Sequence, residues 1–250
     1  MASGKTAPVN TSGRPLVIIP TYNEAENIMD IVAAVKALPE GFDVLVVDDN
    51  SPDGTAELVR KAAQTHKGVH LLLRQKKEGL GKAYIAGFRW ALEHGYDYVF
   101  EMDADFSHNP ADLPRLLEVL RTEADMVIGS RYISGVNVVN WPLSRVLLSY
   151  FASWYVRLIT GMHIKDTTAG FVGYRRAVLE SIDLDRIQFS GYGFQIEMKY
   201  RARSKGFRIR EIPIIFVNRQ KGVSKMSGGI ITEGILGVLR LKFKHLSGRL

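Results

Sequence analysis

LVIIPTYNEAENIMDIVAAVKALPEGFDVLVVDDNSPDGT, residues Leu16–Thr55, changes its hydrophobic period twice. Leu16–Pro20 is a short, unbroken apolar run rich in β-branched residues, which fits a strand buried on both faces. Ile28, Ile31, Val32, Val35 and Leu38 then recur at helical spacing, and Val44–Asp48 returns to the strand pattern. The same alternation continues outward. Further strands are expected at Val69–Leu73, Tyr98–Asp103 and Met126–Ser130. Between them, Leu58, Val59 and Ala62 mark one helix, and Tyr84, Gly87, Phe88, Ala91 and Leu92 another. Leu113, Leu116, Leu117 and Leu120 mark a fourth. Strands alternating with helices predict an α/β fold, a Rossmann-like and mostly parallel sheet with helices on both faces. On such sheets ligands sit beyond the carboxyl ends of the strands, so chemistry is sought where each apolar run stops.

After Arg131 the pattern changes. A helix is expected from about Ser144 to Ile159, following Trp141-Pro142. Gly170–Arg175 reads as a strand, Phe194–Ser204 as a helix, Phe207–Val217 as a strand, and the tail from Gly229 as a helix. No internal repeat or linker divides the chain. A flexible N-terminus (1–14), one main domain (15–226) and a C-terminal amphipathic helix (227–250) are expected.

The 250 residues are 46% hydrophobic and 24% charged, which suits one large α/β domain and excludes a disordered chain. The formal charge of +7 fits phosphorylated substrates, anionic lipid or nucleic acid. Basic residues cluster only locally, at Arg74–Lys77, Arg201–Arg210, Arg219–Lys225 and Arg240–Lys244. No RNA-recognition, zinc-finger or basic-zipper signature accompanies them, so nucleic acid is not an expected partner. The absence of cysteine excludes disulfides, thiolate metal sites and a thiol nucleophile, and fits a cytoplasmic location. Met1–Pro15 lacks an apolar core, so no secretory signal is expected. The uncharged stretch VLLSYFASWYV, Val146–Val156, is shorter than the roughly 20 residues that span a bilayer. The run Gly228–Leu246 is interrupted by Glu233 and Arg240 and reads as interfacial.

Four strand ends carry polar residues. Pro20-Thr21-Tyr22-Asn23-Glu24 offers a ring that can stack on a base or ribose and a carboxylate that can accept hydrogen bonds. It equally suits a strand exit with Asn23 capping the next helix. At the second end, Asp48 and Asp49 point to opposite sides, one free to bind ligand while the other supports a loop; Asp49 is the residue chosen for a nucleotide. Ser51–Thr55 supplies turn residues and a helix start. At the fourth end, Asp103-Ala104-Asp105 places two carboxylates on one side if the strand continues. Oxygen ligands of this kind suit Mg²⁺ or Mn²⁺, and Ser107 can complete the set directly or through water. His108 reads as a loop histidine. Arg131 follows the fifth strand, and Arg145 and Ser149 share a helical face. Arg219, Lys221 and Lys225 stand in a glycine-containing loop suited to a phosphate, with Lys221 read as an ordinary surface lysine. Gly79-Leu80-Gly81-Lys82 lacks the first glycine and the Ser/Thr of a P-loop, and no GxGxxG is present, which excludes both nucleotide signatures.

In order, PTYNE, DDNSPDGT, GLGKAYIAGF, MDADFSHNP, GSRY, DTTAGF, GYGFQIEM and NRQKGVSK resemble the dolichyl-phosphate mannosyltransferase branch of family 2 glycosyltransferases. The resemblance runs from Pro20 to about Gly229. It implies a GT-A glycosyltransferase fold, a GDP-mannose donor, a dolichyl or polyprenyl phosphate acceptor and inversion at the anomeric carbon. By matched positions, Pro20, Tyr22, Glu24, Val47 and Asp49 would hold the nucleoside. Asp103, Ala104 and Asp105 would hold diphosphate and metal. Arg131, Arg219 and Lys225 would contact phosphates and sugar, and Arg145 and Ser149 fit the acceptor phosphate. Ser107 stands where some relatives carry Gln. Asp166, Gln195 and Glu197 fall in motifs that shape the sugar pocket. The implied location is the cytosolic face of a membrane, with a small membrane subunit as a candidate partner. The rivals are glucose transfer from UDP-glucose and a non-catalytic nucleotide-sugar-binding subunit; the latter would more naturally have lost Asp49, Asp103 and Asp105.

Overall fold

The computed structural model describes residues 13–191, 193–218 and 229–248, with side chains in the last segment from 236 onward. The first half follows the expected alternation: β1 (Pro15–Thr21), α1 (Ile28–Lys36), β2 (Asp43–Asp48), α2 (Thr55–Thr65), β3 (Val69–Leu73), α3 (Leu80–Glu93), β4 (Tyr98–Glu101), α4 (Leu113–Thr122) and β5 (Met126–Ser130). The second half adds β6 (Val138–Val139), α5 (Leu143–Thr160), β7 (Val172–Arg175), α6 (Arg176–Ser181), α7 (Gly193–Ser204), β8 (Ile209–Pro213), β9 (Phe216–Val217) and α8 (Gly229–Leu246).

Seven strands form one sheet in the order β3-β2-β1-β4-β7-β5-β8, and β6 pairs with β9. All neighbours in the large sheet are parallel except β7, which runs antiparallel between β4 and β5. Side chains alternate across each strand, so β1 sends Val17 and Ile19 to one face and Leu16 and Ile18 to the other. The first face packs on α1, α2 and α4, through residues such as Val32, Val59 and Leu117. The second packs on α3, α6, α7 and α8, through residues such as Phe88, Leu179, Met198 and Leu241. The chain winds outward from β1 to β3 and then returns to β4 on the far side of β1. That reversal opens a crevice above the carboxyl ends of β1 and β4.

Gly173 shows how closely the inserted strand fits. It stands between Phe100 of β4 and Val127 of β5 in register, and a Cβ there would lie 2.6 Å from the Phe100 ring and 2.9 Å from Val127. Both neighbours are fully buried and cannot turn away. Gly173→Ala is therefore expected to destabilise the protein by about 1–3 kcal/mol, the usual cost of overpacking. A urea midpoint equal to that of the wild type would contradict this packing.

Several boundaries differ from the sequence expectation. The strand expected over Tyr98–Asp103 ends at Glu101; Met102 N–H makes the last ladder bond to Ile18 O (3.1 Å) and the chain then turns. Phe207–Val217 is not one strand. Pro213, which has no N–H, closes β8, and Phe216 then pairs with Val138 of the small sheet. Elements β6 and α6 were not expected, being too short for a periodic signal. Of the expected flexible terminus, residues 1–12 lie outside the described residues, while Arg14 N–H donates to Asp97 Oδ2 (2.8 Å). At the other end, α8 buries Val238 and Leu241 and leaves Leu236, Phe243 and Leu246 exposed.

Candidate active site

The strand exits at the crevice are tied to one another before any ligand is considered. Three consecutive backbone N–H groups, those of Asn23, Glu24 and Ala25, donate to Ser51 Oγ (3.0 Å), Thr55 Oγ1 (3.1 Å) and Asp53 Oδ2 (2.9 Å). The two motifs PTYNE and DDNSPDGT therefore interlock. Asn23 and Asn50 adopt left-handed φ values of 60° and 58°, a conformation asparagine tolerates better than most residues. Asn23 does not cap α1; Asn27 stands at that position.

Asp48 and Asp49 divide their work. Asp48 accepts from Thr21 Oγ1 (2.7 Å), Ser51 N (2.9 Å) and Ser51 Oγ (2.6 Å), which closes the loop. Asp49 lines the cleft and receives Arg74 Nη1 at 2.8 Å. Burial raises its carboxyl pKa; Arg74 opposes the rise and Asp48 adds to it. Beside it, the Lys77 ammonium lies 4.3 Å from the centre of the Tyr22 ring.

Asp103 and Asp105 lie in the turn beyond β4, past the end of the strand, and both line the cleft. Phe106 holds that turn with φ 58°, a strained value for a bulky residue. Ser107 donates both its N–H (3.1 Å) and its hydroxyl (2.6 Å) to Asp105 Oδ1. In this geometry it orients Asp105. The buried His108 accepts the Asp103 N–H at Nδ1 (3.2 Å) and stacks on Phe171. Burial lowers its pKa to about 4, so the ring is neutral and braces the turn. Among the described residues no group of three or more His, Cys, Asp or Glu side chains is arranged to hold a metal ion. Two carboxylates nevertheless fit Mg²⁺ or Mn²⁺ when substrate phosphates and water complete the shell.

The opposite wall is cationic and aromatic. Arg131 donates to Asp166 through its backbone N (2.9 Å), Nε (2.7 Å) and Nη2 (2.6 Å), and through Nη2 to Thr168 (2.9 Å). Burial works to raise the Asp166 pKa, and the Arg131 charge and hydrogen bonds outweigh it, leaving the carboxyl below its usual value. Arg145 Nη1 donates to Asn218 Oδ1 (3.1 Å), and its guanidinium lies 4.0 Å from the centre of the Trp141 ring. Behind this wall, Gln195 donates to the buried Glu101, which also accepts from Tyr174 at 2.7 Å. Burial lifts the Glu101 pKa to about 7 despite these bonds. Burial likewise lowers that of Lys199, which donates to Ala169 O, to about 8.

One cleft of about 750 Å³ gathers Pro20, Tyr22, Glu24, Asp49, Asp103, Ala104, Asp105, Ser107, Arg131, Arg145 and Ser149. Val47 is not on the cleft wall. It is fully buried in the core beneath the cleft, because it precedes the strand exit and its side chain packs under a helix. Asp166 and Glu197 are also off the cleft wall. Asp166 holds Arg131, while Glu197 accepts Gln188 N (2.9 Å) and Phe189 N (3.2 Å) and pairs with Arg201. Of the three residues expected to shape the sugar pocket, Gln195 alone is on the cleft wall. Arg219, Lys221 and Lys225 lie outside the described residues. Trp141, Asn218 and Tyr84 line the cleft without having been assigned a role. In the sequence pattern Tyr84 is a helix marker and Trp141 precedes a helix start. The Gly79–Lys82 segment begins α3, and Gly81 is needed because a Cβ would meet Phe189 O at 2.7 Å.

Residues 16–183 match the model of the glycosyl transferase family 2 family. The chain is 53% identical to an undecaprenyl-phosphate mannosyltransferase of Micrococcus luteus, over 91% of this chain and 93% of that protein. It is 49% identical to a polyprenol monophosphomannose synthase of Mycolicibacterium smegmatis, over 93% and 88%. It is 36% identical to a dolichol-phosphate mannosyltransferase of Pyrococcus furiosus, over 90% of this chain and 62% of that longer one. Among solved structures, glucosyl-3-phosphoglycerate synthase of Mycobacterium tuberculosis, in complex with Mn²⁺, UDP-glucose and phosphoglyceric acid, superposes with a TM-score of 0.67 at 16% identity. That match covers 92% of this chain and 79% of the other, and it speaks for the shared fold. A strand-end cleft with acidic and cationic walls, on a chain that matches the family model across most of its catalytic half, is a glycosyltransferase site, and the protein belongs to glycosyltransferase family 2.

Proposed function

We propose that this chain transfers mannose from GDP-mannose to the phosphate of a dolichyl or other polyprenyl lipid, with inversion, at the cytosolic face of a membrane. The observation that carries the reading is the shape of the cleft. Carboxylates at the ends of β2 and β4 face arginines of β5 and α5, and the cleft opens along the apolar side of α5. The names of the relatives at 53% and 49% identity support mannose and a polyprenyl acceptor.

Tyr22 and Glu24 would hold the base or ribose, and Asp49 a ribose hydroxyl. Arg131, Arg145 and Ser149 would orient the acceptor phosphate, with Arg219 and Lys225 assigned by their motif to the donor phosphates. Asp103 and Asp105 would hold a divalent cation, which would supply charge neutralisation for the leaving group. An oxygen of the acceptor phosphate forms the new bond to the anomeric carbon. The bond from that carbon to the diphosphate breaks, and its electron pair leaves with GDP. A phosphate monoester has its second pKa near 6, so the nucleophile is already anionic and no general base has to remove a proton. Positioning and charge screening remain for the protein to provide.

The lipid tail would lie on α5, where Leu147, Phe151, Trp154 and Leu158 are exposed along one side. Leu236, Phe243 and Leu246 of α8 are exposed as well. No described helix is long and apolar enough to cross a membrane. A small membrane subunit is a candidate partner for the same apolar surface.

The test is to incubate the purified protein with detergent-dispersed polyprenyl phosphate, Mg²⁺ or Mn²⁺, and GDP-mannose or UDP-glucose in parallel. Labelled mannosyl lipid from GDP-mannose alone is expected. EDTA should abolish it, and either cation should restore it. Glucosyl lipid from UDP-glucose alone would overturn the sugar assignment.

A further inference from the structure

Trp141 has no place in the mechanism above, yet it touches both acceptor-side arginines. Its ring centre lies 4.0 Å from the Arg145 guanidinium and 5.4 Å from that of Arg131. Phe216 packs edge-on against the same indole at 5.2 Å and lies 5.7 Å from the Arg131 guanidinium. Arg131, Arg145 and Trp141 all line the one cleft. The two arginines come from separate elements, the end of β5 and the first turn of α5, and their charges repel. Asp166 fixes Arg131 from behind. On α5, the Asn218 amide and the indole face take part in holding Arg145.

We infer that Trp141 is a positioning residue for the acceptor. Its π face holds the Arg145 and Arg131 guanidiniums on one wall, so that both engage a single phosphate monoester. A cation over an indole face is attracted by about 0.5–2 kcal/mol, more where water is excluded, and the aromatic plane sets the direction in which each fork presents its N–H groups. In the proposed function the donor is held on the acidic side of the cleft and would not depend on this contact. The inference rests on the proposed lipid-phosphate acceptor.

The experiment uses farnesyl phosphate, a soluble short-chain acceptor, with GDP-mannose as donor and the full-length protein. Trp141→Leu, which removes the π face, is expected to raise the acceptor KM about 5- to 20-fold, the equivalent of one or two such contacts. The GDP-mannose KM and inhibition by GDP should stay within twofold. Trp141→Phe, which restores a π face, should recover most of the acceptor KM. An unchanged acceptor KM in Trp141→Leu would overturn the inference. A parallel rise in both KM values with a lowered Tm would also overturn it, because that pattern marks a purely structural residue. If the wild-type protein itself makes no mannosyl product, the functional proposal fails instead, and the two failures are told apart by the wild-type lane.

Discussion

Asp105→Asn is expected to lower mannosyl transfer by about 10²–10³-fold, the usual loss when one preorganised group that stabilises a leaving anion is removed. Asn is the informative replacement because Asp105 Oδ1 accepts both the N–H and the hydroxyl of Ser107. An amide oxygen keeps those bonds and loses only the charge. The more drastic Asp105→Ala leaves two buried donors unsatisfied, at about 1–3 kcal/mol in the worst case, and should remove activity while the protein still folds. The decisive pair of measurements is kcat/KM and thermal unfolding on the same sample. Normal turnover in Asp105→Asn would remove this carboxylate from the mechanism. Lost turnover with an unchanged Tm would place the effect in the chemistry and not in the fold. Raising the Mg²⁺ or Mn²⁺ concentration should partly restore the Asn variant, because the proposed cation site keeps Asp103.

The second large effect is expected in stability. Asp166 is completely buried and receives three hydrogen bonds from Arg131, which is itself only 8% exposed. Asp166→Ala leaves that guanidinium buried without its carboxylate, and breaking such a pair costs about 3–5 kcal/mol. For a protein of this size the Tm should fall by roughly 6–20 °C. Activity should fall too, since Arg131 would lose its fixed direction at the cleft. The pH dependence has a definite sign. The folded Asp166 carboxyl titrates below its ordinary value, so the unfolded chain takes up the proton first on acidification. Its contribution is fully present above the unfolded carboxylate pKa of about 3.9 and is lost as the pH falls through the lower folded value. The stability gap between wild type and Asp166→Ala should therefore stay level from about pH 5 to 8 and narrow only under acid. A gap that widened on acidification would contradict the pair.

Much of this molecule was legible from pattern alone. The first five strands and four helices follow from runs and periods, because a strand covered on both faces must be apolar throughout while a covering helix needs only one apolar stripe. The short elements were not legible. Val138–Val139 and Arg176–Ser181 are held by neighbours distant in sequence, and two or six residues carry no period. The expected strand Phe207–Val217 joined two segments that belong to different sheets, since β propensity does not report which partner a strand will find. At the site, motifs marked residues better than they marked roles. The sequence pattern puts Asp103 and Asp105 on one strand face, whereas β4 ends at Glu101 and both stand at the cleft in the turn beyond it. Asp166 and Glu197 stand inside motifs of the site and yet act from behind the cleft, Asp166 on Arg131 and Glu197 on Gln188, Phe189 and Arg201.

From the order of its residues alone, this chain is committed to an alternating α/β sheet with acidic and cationic groups at the strand exits, because hydrophobic period and turn chemistry are carried by a few neighbouring residues at a time. Which of those groups face a ligand, which face one another, and which indole stands between two arginines were decided only when the strand order brought β1, β4, β5 and α5 to one cleft. Contacts such as Arg131 with Asp166, or Arg145 with Asn218, join residues 35 and 73 positions apart, and no local pattern encodes a meeting that depends on how the whole sheet is wound.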